Sequence, residues 1–239
     1  MTVLLVPYFI DELLPDPDVP VLADHVVQAP LRGDTPWQRL AGLYDVVADA
    51  VAGLDRPTVL SGDCPAALGV VAGLQRRGID PAVVWFDAHG DIHTPESSIS
   101  GFLGGMPLRM LLGDGDPTVA ERIGLRPVPP EQVVLVDGRD LDPPEVEFLA
   151  TSPVRQVPTE SVPAPPGPIY LHIDLDVVDS AELPGLRYPA PGGPDLAAVR
   201  DAALGLLATG RVVAMTLACT WYPGHGAGEV ARPLLTARC

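Results

Sequence analysis

The chain has 239 residues, 47% of them hydrophobic, and a positive mean hydropathy, which suits a single α/β domain over residues 1–239 with a substantial core. Its 31 acidic residues outweigh 15 basic ones, all arginine, for a net charge of −16. That balance argues against nucleic acid or an anionic membrane as partner, because phosphate binding needs clustered positive charge. Three cysteines, Cys64, Cys219 and Cys239, are an odd number in a chain too large to need disulfide staples, and the expected compartment is the reducing cytoplasm.

The N-terminal apolar stretch has no basic residue before it and an acidic one soon after, so residues 3–9 read as a first buried strand rather than a signal peptide. A helix is expected over 35–51, where Leu40, Leu43, Val47 and Val51 recur at helical spacing, followed by a strand at 58–60 and a helix at 66–77. Further strands are expected at 82–87, 132–136, 169–174 and 211–218, with helices at 106–112, 143–150, 195–208 and 228–237. No other run approaches the roughly 20 apolar residues of a membrane helix. This alternation predicts a mostly parallel central sheet covered by helices on both faces, a three-layer α/β/α fold. The 29 prolines gather in connections such as 126–131 and 161–168, which punctuate the elements.

Two acidic clusters each close an apolar run: Asp87, His89 and Asp91 after 82–86, and Asp174 and Asp176 after 169–173. Parallel strands present functional groups at their carboxyl ends, so these side chains would share one rim of the sheet. Carboxylates crowded in one crevice repel one another unless cations lie between them, which makes a metal site the simplest resolution. Helix caps and solvated strand ends are the plainer alternative for single aspartates. His172, inside its apolar run, reads as a core residue, and Asp179 as a loop support.

Taken in order, Ser61-Gly-Asp-Cys-Pro, Asp87-Ala-His-Gly-Asp, Ser100-Gly-Phe-Leu-Gly-Gly-Met-Pro and Asp174-Leu-Asp-Val-Val-Asp resemble the motifs of the ureohydrolases, the family of arginase, agmatinase and formimidoylglutamase, over roughly residues 55 to 225. The resemblance implies an arginase-like fold and two manganese ions per chain sharing one water. It also implies that Asp87 and Asp174 bridge the ions, with Asp91 completing one site and His89 and Asp176 the other. Carboxylate and imidazole ligands suit manganese.

The sequence departs from the family in three places. Cys64 stands where the first motif has a histidine ligand; it is either a thiolate ligand or a plain buried thiol. Gly104 stands where arginases carry a proton-shuttling histidine. Cys219 stands where a glutamate holds the guanidinium, with Thr216 for an aspartate nearby. A cysteine ligand and a missing shuttle resemble the members that hydrolyse N-hydroxy-arginine, whose less basic hydroxyguanidine depends less on an anionic partner. His93, Ser100 and Asp142 fall where the family binds the amino-acid end of the substrate, although Asp142 is equally a helix N-cap. Asp91 is expected to move the proton, with His225 as a possible surrogate shuttle. The implied activity is hydrolysis of a linear C–N bond in a guanidino or N-hydroxyguanidino compound, releasing urea or hydroxyurea. A non-catalytic metal-binding member and a deacetylase-like amide hydrolase are the alternatives, and no oligomer signal is visible. Residues 33–36 and 94–105 are expected as mobile loops over the site.

Overall fold

The computed structural model describes residues 2–236. In chain order the elements are strands β1 (Val3–Val6), β2 (Tyr8–Phe9), β3 (Glu12–Leu13) and β4 (His25–Val26), helix α1 (Pro36–Ala52), β5 (Thr58–Ser61), α2 (Ala66–Arg76) and β6 (Ala82–Asp87). There follow α3 (Pro107–Leu111), α4 (Pro117–Ile123), β7 (Val133–Asp137), α5 (Pro143–Thr151), β8 (Arg155–Val157), β9 (Ile169–Asp174), α6 (Leu196–Ala208), β10 (Val212–Ala218), α7 (Ala227–Ala231) and α8 (Pro233–Thr236).

Eight strands form one sheet in the order β4-β1-β5-β10-β9-β6-β7-β8, every neighbouring pair parallel. Because side chains alternate along a strand, each strand feeds two cores. Val83, Trp85, Tyr170 and Ala214 face the layer of α1 and α2, with Leu40, Val47, Leu68 and Val71. Val84, Phe86, Leu171 and Met215 face Val199, Ala203 and Leu206 of α6. The result is the expected three-layer architecture with a mostly parallel sheet. Helix α1 starts where its sequence dictates: Thr35 and Gln38 form a reciprocal capping box, and Pro36 occupies the first turn, where its missing N–H costs nothing.

Three differences from the sequence reading have local causes. The strand expected over 3–9 breaks at Pro7, and Tyr8–Phe9 pair antiparallel with Glu12–Leu13 in a separate hairpin, because proline cannot donate to a ladder. The helix expected over 228–237 is two short ones divided before Pro233; residue 237 and Cys239 lie outside the described residues. The edge strands β4 and β8 and the helix α4 were not anticipated, the strands being two and three residues long.

Five adjacent strands, β5, β10, β9, β6 and β7, direct their carboxyl ends to one rim. Motifs separated by more than a hundred residues, such as Cys64 and Asp174, meet there.

Candidate metal centre

Asp87 and Asp174 are the last residues of β6 and β9, and both lie on the face that carries Trp85 and His172, two residues earlier on each strand. Trp85 and His172 are register partners and stack with centroids 3.6 Å apart at 14°. The Trp85 indole N–H donates to Asp87 Oδ2 at 3.0 Å, which orients the carboxylate. Cys64 reaches the same point from the loop after β5, its Sγ 2.9 Å from Asp174 Oδ2 and 3.3 Å from His172 Nε2. That loop passes close to Tyr8, since a Cβ on Gly62 would fall 2.4 Å from the Tyr8 carbonyl oxygen. Only glycine permits the approach.

Two sets of candidate ligands result, each with its donor atoms within 4.8 Å of one another: Cys64, Asp87 and Asp174, and Asp87, His89 and Asp176. Asp87 belongs to both. His89 Nδ1 lies 3.1 Å from Asp176 and 3.4 Å from Asp87. Asp91 stands beside these sets rather than within them, at a left-handed backbone angle (φ 54°), and its Oδ2 is buried without any hydrogen-bond partner.

The electrostatics are those of a site short of positive charge. Burial, then the charges of Asp87 and Asp174, raise Asp91 well above the usual carboxylate range. Burial, then Asp176 and Asp87, do the same to Asp174. Burial and Asp87 push Asp176 up to about 7. Burial and Asp174 raise the Cys64 thiol. Burial lowers the His89 pKa, but the carboxylates of Asp176 and Asp87 outweigh it and push the ring up to about 12. A cation seated among these groups would reverse that logic, and an orphaned buried carboxylate oxygen is what a ligand lacking its ion looks like. The donor set of carboxylates, one imidazole and one thiol fits a pair of divalent ions.

The centre opens into a cavity of about 460 Å³. His93, Ser100 and Asp142, the residues assigned to the amino-acid end, line it together. His93 is buried, with Nε2 3.2 Å from Asp142 Oδ2 and Nδ1 3.1 Å from Ser97 Oγ. Asp142 is also the N-cap residue of α5, its N–H donating to Glu145 Oε2 at 3.0 Å. Asp142 thus caps α5 and lines the cavity at once. Residues 98–105 contribute to the wall, whereas none of residues 33–36 does.

Two expectations are corrected. Cys219 does not reach the cavity: it follows Met215 and Leu217 on the α6 face of β10 and packs in that core. Thr220, on the opposite parity, lines the cavity instead and donates to Asp174 Oδ1 at 2.6 Å; strand alternation read back from Ala214 and Thr216 marks it. His225 is exposed and lies against Gly185, outside the residues lining the cavity.

Tyr188, Asp140, Glu145 and Phe9 also line the cavity and were not singled out from the sequence. Tyr188 and Asp140 come from loops, Phe9 from the short hairpin strand β2 and Glu145 from the first turn of α5, and no periodicity in these segments points to the cavity. At Gly104 a Cβ would fall 2.3 Å from the Phe102 ring, so that ring fills the space of any side chain there. Asp179 supports its loop as expected, accepting from the N–H groups of Ala181, Gly192 and Gly193. The Arg139 guanidinium ties the same loop to β7, donating to the carbonyls of Asp176, Val177 and Ala190 and pairing with Asp137.

Comparison with known proteins agrees with this geometry. The chain is 31% identical over 186 residues to an arginase of Bacillus caldovelox, a match covering 68% of this chain and 62% of that protein. It is 30% identical over 188 residues to the N(omega)-hydroxy-L-arginine amidinohydrolase of Streptomyces lavendulae, covering 72% of this chain and 67% of the relative. The matched stretch thus spans less than two thirds of the first of these. The crystal structure of the B. caldovelox arginase superposes with a TM-score of 0.81 at 23% identity, covering 98% of this chain and 96% of that one. The formimidoylglutamase of Bacillus subtilis gives 0.72 at 14% identity, over 98% and 84%. The family model described as the arginase family matches residues 18–220, and on this evidence the chain belongs to the arginase family.

Proposed function

We propose that the chain is a hydrolase of the linear C–N bond of a guanidino or N-hydroxyguanidino amino acid, of the N-hydroxy-arginine or arginine type, that works with two manganese ions in one arginase-like domain and releases urea or hydroxyurea. The observation that carries this reading is the pair of ligand sets joined at Asp87, beneath a cavity that His93, Ser100 and Asp142 help to line. Preference for the hydroxylated substrate is supported by Cys64 in the ligand set, by Gly104 with no acid–base group, and by Thr220 presenting a hydroxyl at the end of β10. A hydroxyguanidine is less basic than a guanidine and depends less on a facing carboxylate. The S. lavendulae relative is named for that substrate. The odd cysteine count and the two buried free thiols, Cys64 and Cys219, suit a reducing cytoplasm, and no described helix is long and apolar enough to cross a membrane.

In this reading Cys64, Asp87, His89, Asp91, Asp174 and Asp176 hold the ions, and when bound these supply Lewis acidity and lower the pKa of a water to the neutral range. Asp91 is the residue placed to take a proton from the attacking water and return it to the leaving nitrogen. It lines the cavity and lies close enough to Asp87 and Asp174 to feel their charges. Thr220 and the Asp176 N–H, both bonded to Asp174 Oδ1, fix that carboxylate. His93 and Asp142, held to each other, and Ser100 orient the amino-acid end of the substrate.

The test is metal content with turnover: manganese per chain is counted, and urea and hydroxyurea are assayed from arginine, agmatine and N-hydroxy-arginine. About two ions per chain with N-hydroxy-arginine preferred is the expected result. Preference for arginine would overturn the substrate assignment, and metal without turnover on the whole panel would favour a non-catalytic member.

A further inference from the structure

The cavity is acidic. Asp63, Asp140, Asp142 and Glu145 line it in addition to the carboxylates of the metal centre, and no arginine is among the lining residues. In a chain of net charge −16 the carboxylate of an amino-acid substrate would be repelled unless a cation received it. One arginine is placed to do so. Residues 185–187 run antiparallel to 220–222 at the rim, through the Leu186–Trp221 bridge, the Arg187 N–H to the Thr220 carbonyl at 2.8 Å and the Tyr222 N–H to the Gly185 carbonyl at 2.9 Å. Arg187 is therefore anchored through its backbone to the residue that lines the cavity beside Asp174.

Its guanidinium lies over two aromatic rings, 4.0 Å from the centroid of Phe9 and 4.3 Å from that of Tyr222. Phe9 lines the cavity and continues the stack to Phe102, which meets Tyr188 with centroids 4.9 Å apart. Among the described residues the Arg187 guanidinium makes no ion pair or hydrogen bond, and the charge is half-buried. Arg32, Arg56 and Arg155 likewise make none, but they are exposed to water. The two rings hold the guanidinium while its N–H donors have no described protein partner, and a guanidinium with free donors can take a carboxylate through two parallel N–H bonds. Its field also reaches the lining residues Asp63 and Tyr188, lowering the pKa of each against the larger effect of burial.

We propose that Arg187 is a specificity-determining residue that receives the carboxylate of the substrate at the rim of the cavity, a role that rests on the amino-acid substrate proposed above. The orientation follows: the guanidino end enters toward Asp87 and Asp91, and the carboxylate remains at the aromatic rim.

The test uses manganese-loaded wild type, Arg187→Met and Arg187→Lys, with arginine and its decarboxylated analogue agmatine bound in a calorimeter and N-hydroxy-arginine turned over. In Arg187→Met, arginine affinity is expected to fall roughly ten- to a hundredfold, and the KM for N-hydroxy-arginine to rise as much, with kcat and agmatine affinity within about twofold of wild type. Lysine, which keeps the charge but not the fork, should recover part of the loss. An equal loss for arginine and agmatine would mark Arg187 as a mere scaffold residue and overturn the proposal, as would unchanged arginine affinity or a wild type that binds neither ligand. Turnover that survives in an Arg187→Met protein of unaltered selectivity would sink the role of Arg187 and leave the reaction standing. Arg187-dependent arginine binding with no urea or hydroxyurea released would do the reverse.

Discussion

Replacing Asp91 with asparagine is expected to stabilise the metal-free protein and to weaken the manganese-loaded one. Asp91 Oδ2 is buried without a partner, and the charges of Asp87 and Asp174 bear on it. An amide here needs no proton to be neutral, and its N–H donors face the neighbouring carboxylates in place of a buried oxygen without a partner, a change worth about 1–3 kcal/mol. For a chain of this size each kcal/mol moves the melting temperature by about 2–4 °C, so a rise of about 2–12 °C is expected in chelator. The backbone does not oppose the change, because asparagine tolerates the φ of 54° at this position as readily as aspartate does. Manganese at about a hundred times its Kd adds about 2.7 kcal/mol per ion to wild type, or about 5–11 °C; the variant should lose the share of the ion that Asp91 helps to hold. The assay is thermal denaturation in chelator and in manganese, with metal counted by atomic emission. An asparagine variant that melts lower than wild type in chelator, or that keeps both ions and the full manganese-induced rise, would refute the reasoning.

Two further outcomes are expected. Cobalt loaded in place of manganese should give a thiolate-to-metal charge-transfer band in the near ultraviolet, absent from Cys64→Ser; a band-free wild type would make Cys64 a plain buried thiol. Stability should respond to pH with opposite sign in the two forms. The native value of Asp176, about 7, lies above its ordinary 3.8, so its contribution is present at low pH and is lost as pH rises from about 4 through 7. Metal-free protein should thus melt higher at pH 5 than at pH 8, and manganese should bind more tightly at pH 8, where these carboxylates are free of protons; equal melting at both values in chelator would contradict this.

The central strands were legible in the sequence because each is an apolar run with one signal, burial on both faces. The ends of those runs announced Asp87, His89, Asp91, Asp174 and Asp176, and family order added Cys64. What stayed hidden depended on chain direction after a strand ends. Cys219 and Thr220 are adjacent in sequence, and only the parity of β10 decides which of them faces the cavity. His93 and Asp142 are 49 residues apart and meet through the loop after β6 and the start of α5. Arg187 and Phe9 are brought together by two loops, and nothing in either segment speaks of the other.

The ring of Phe102 standing in the place of a side chain at position 104 couples the two positions in space, so that a substitution at one is felt at the other. A side chain introduced at 104 would meet the ring, which must shift to admit it, and because Phe102 lines the cavity such a shift would reshape its wall. The room for a side chain at position 104 is thus set by where the ring of residue 102 can move.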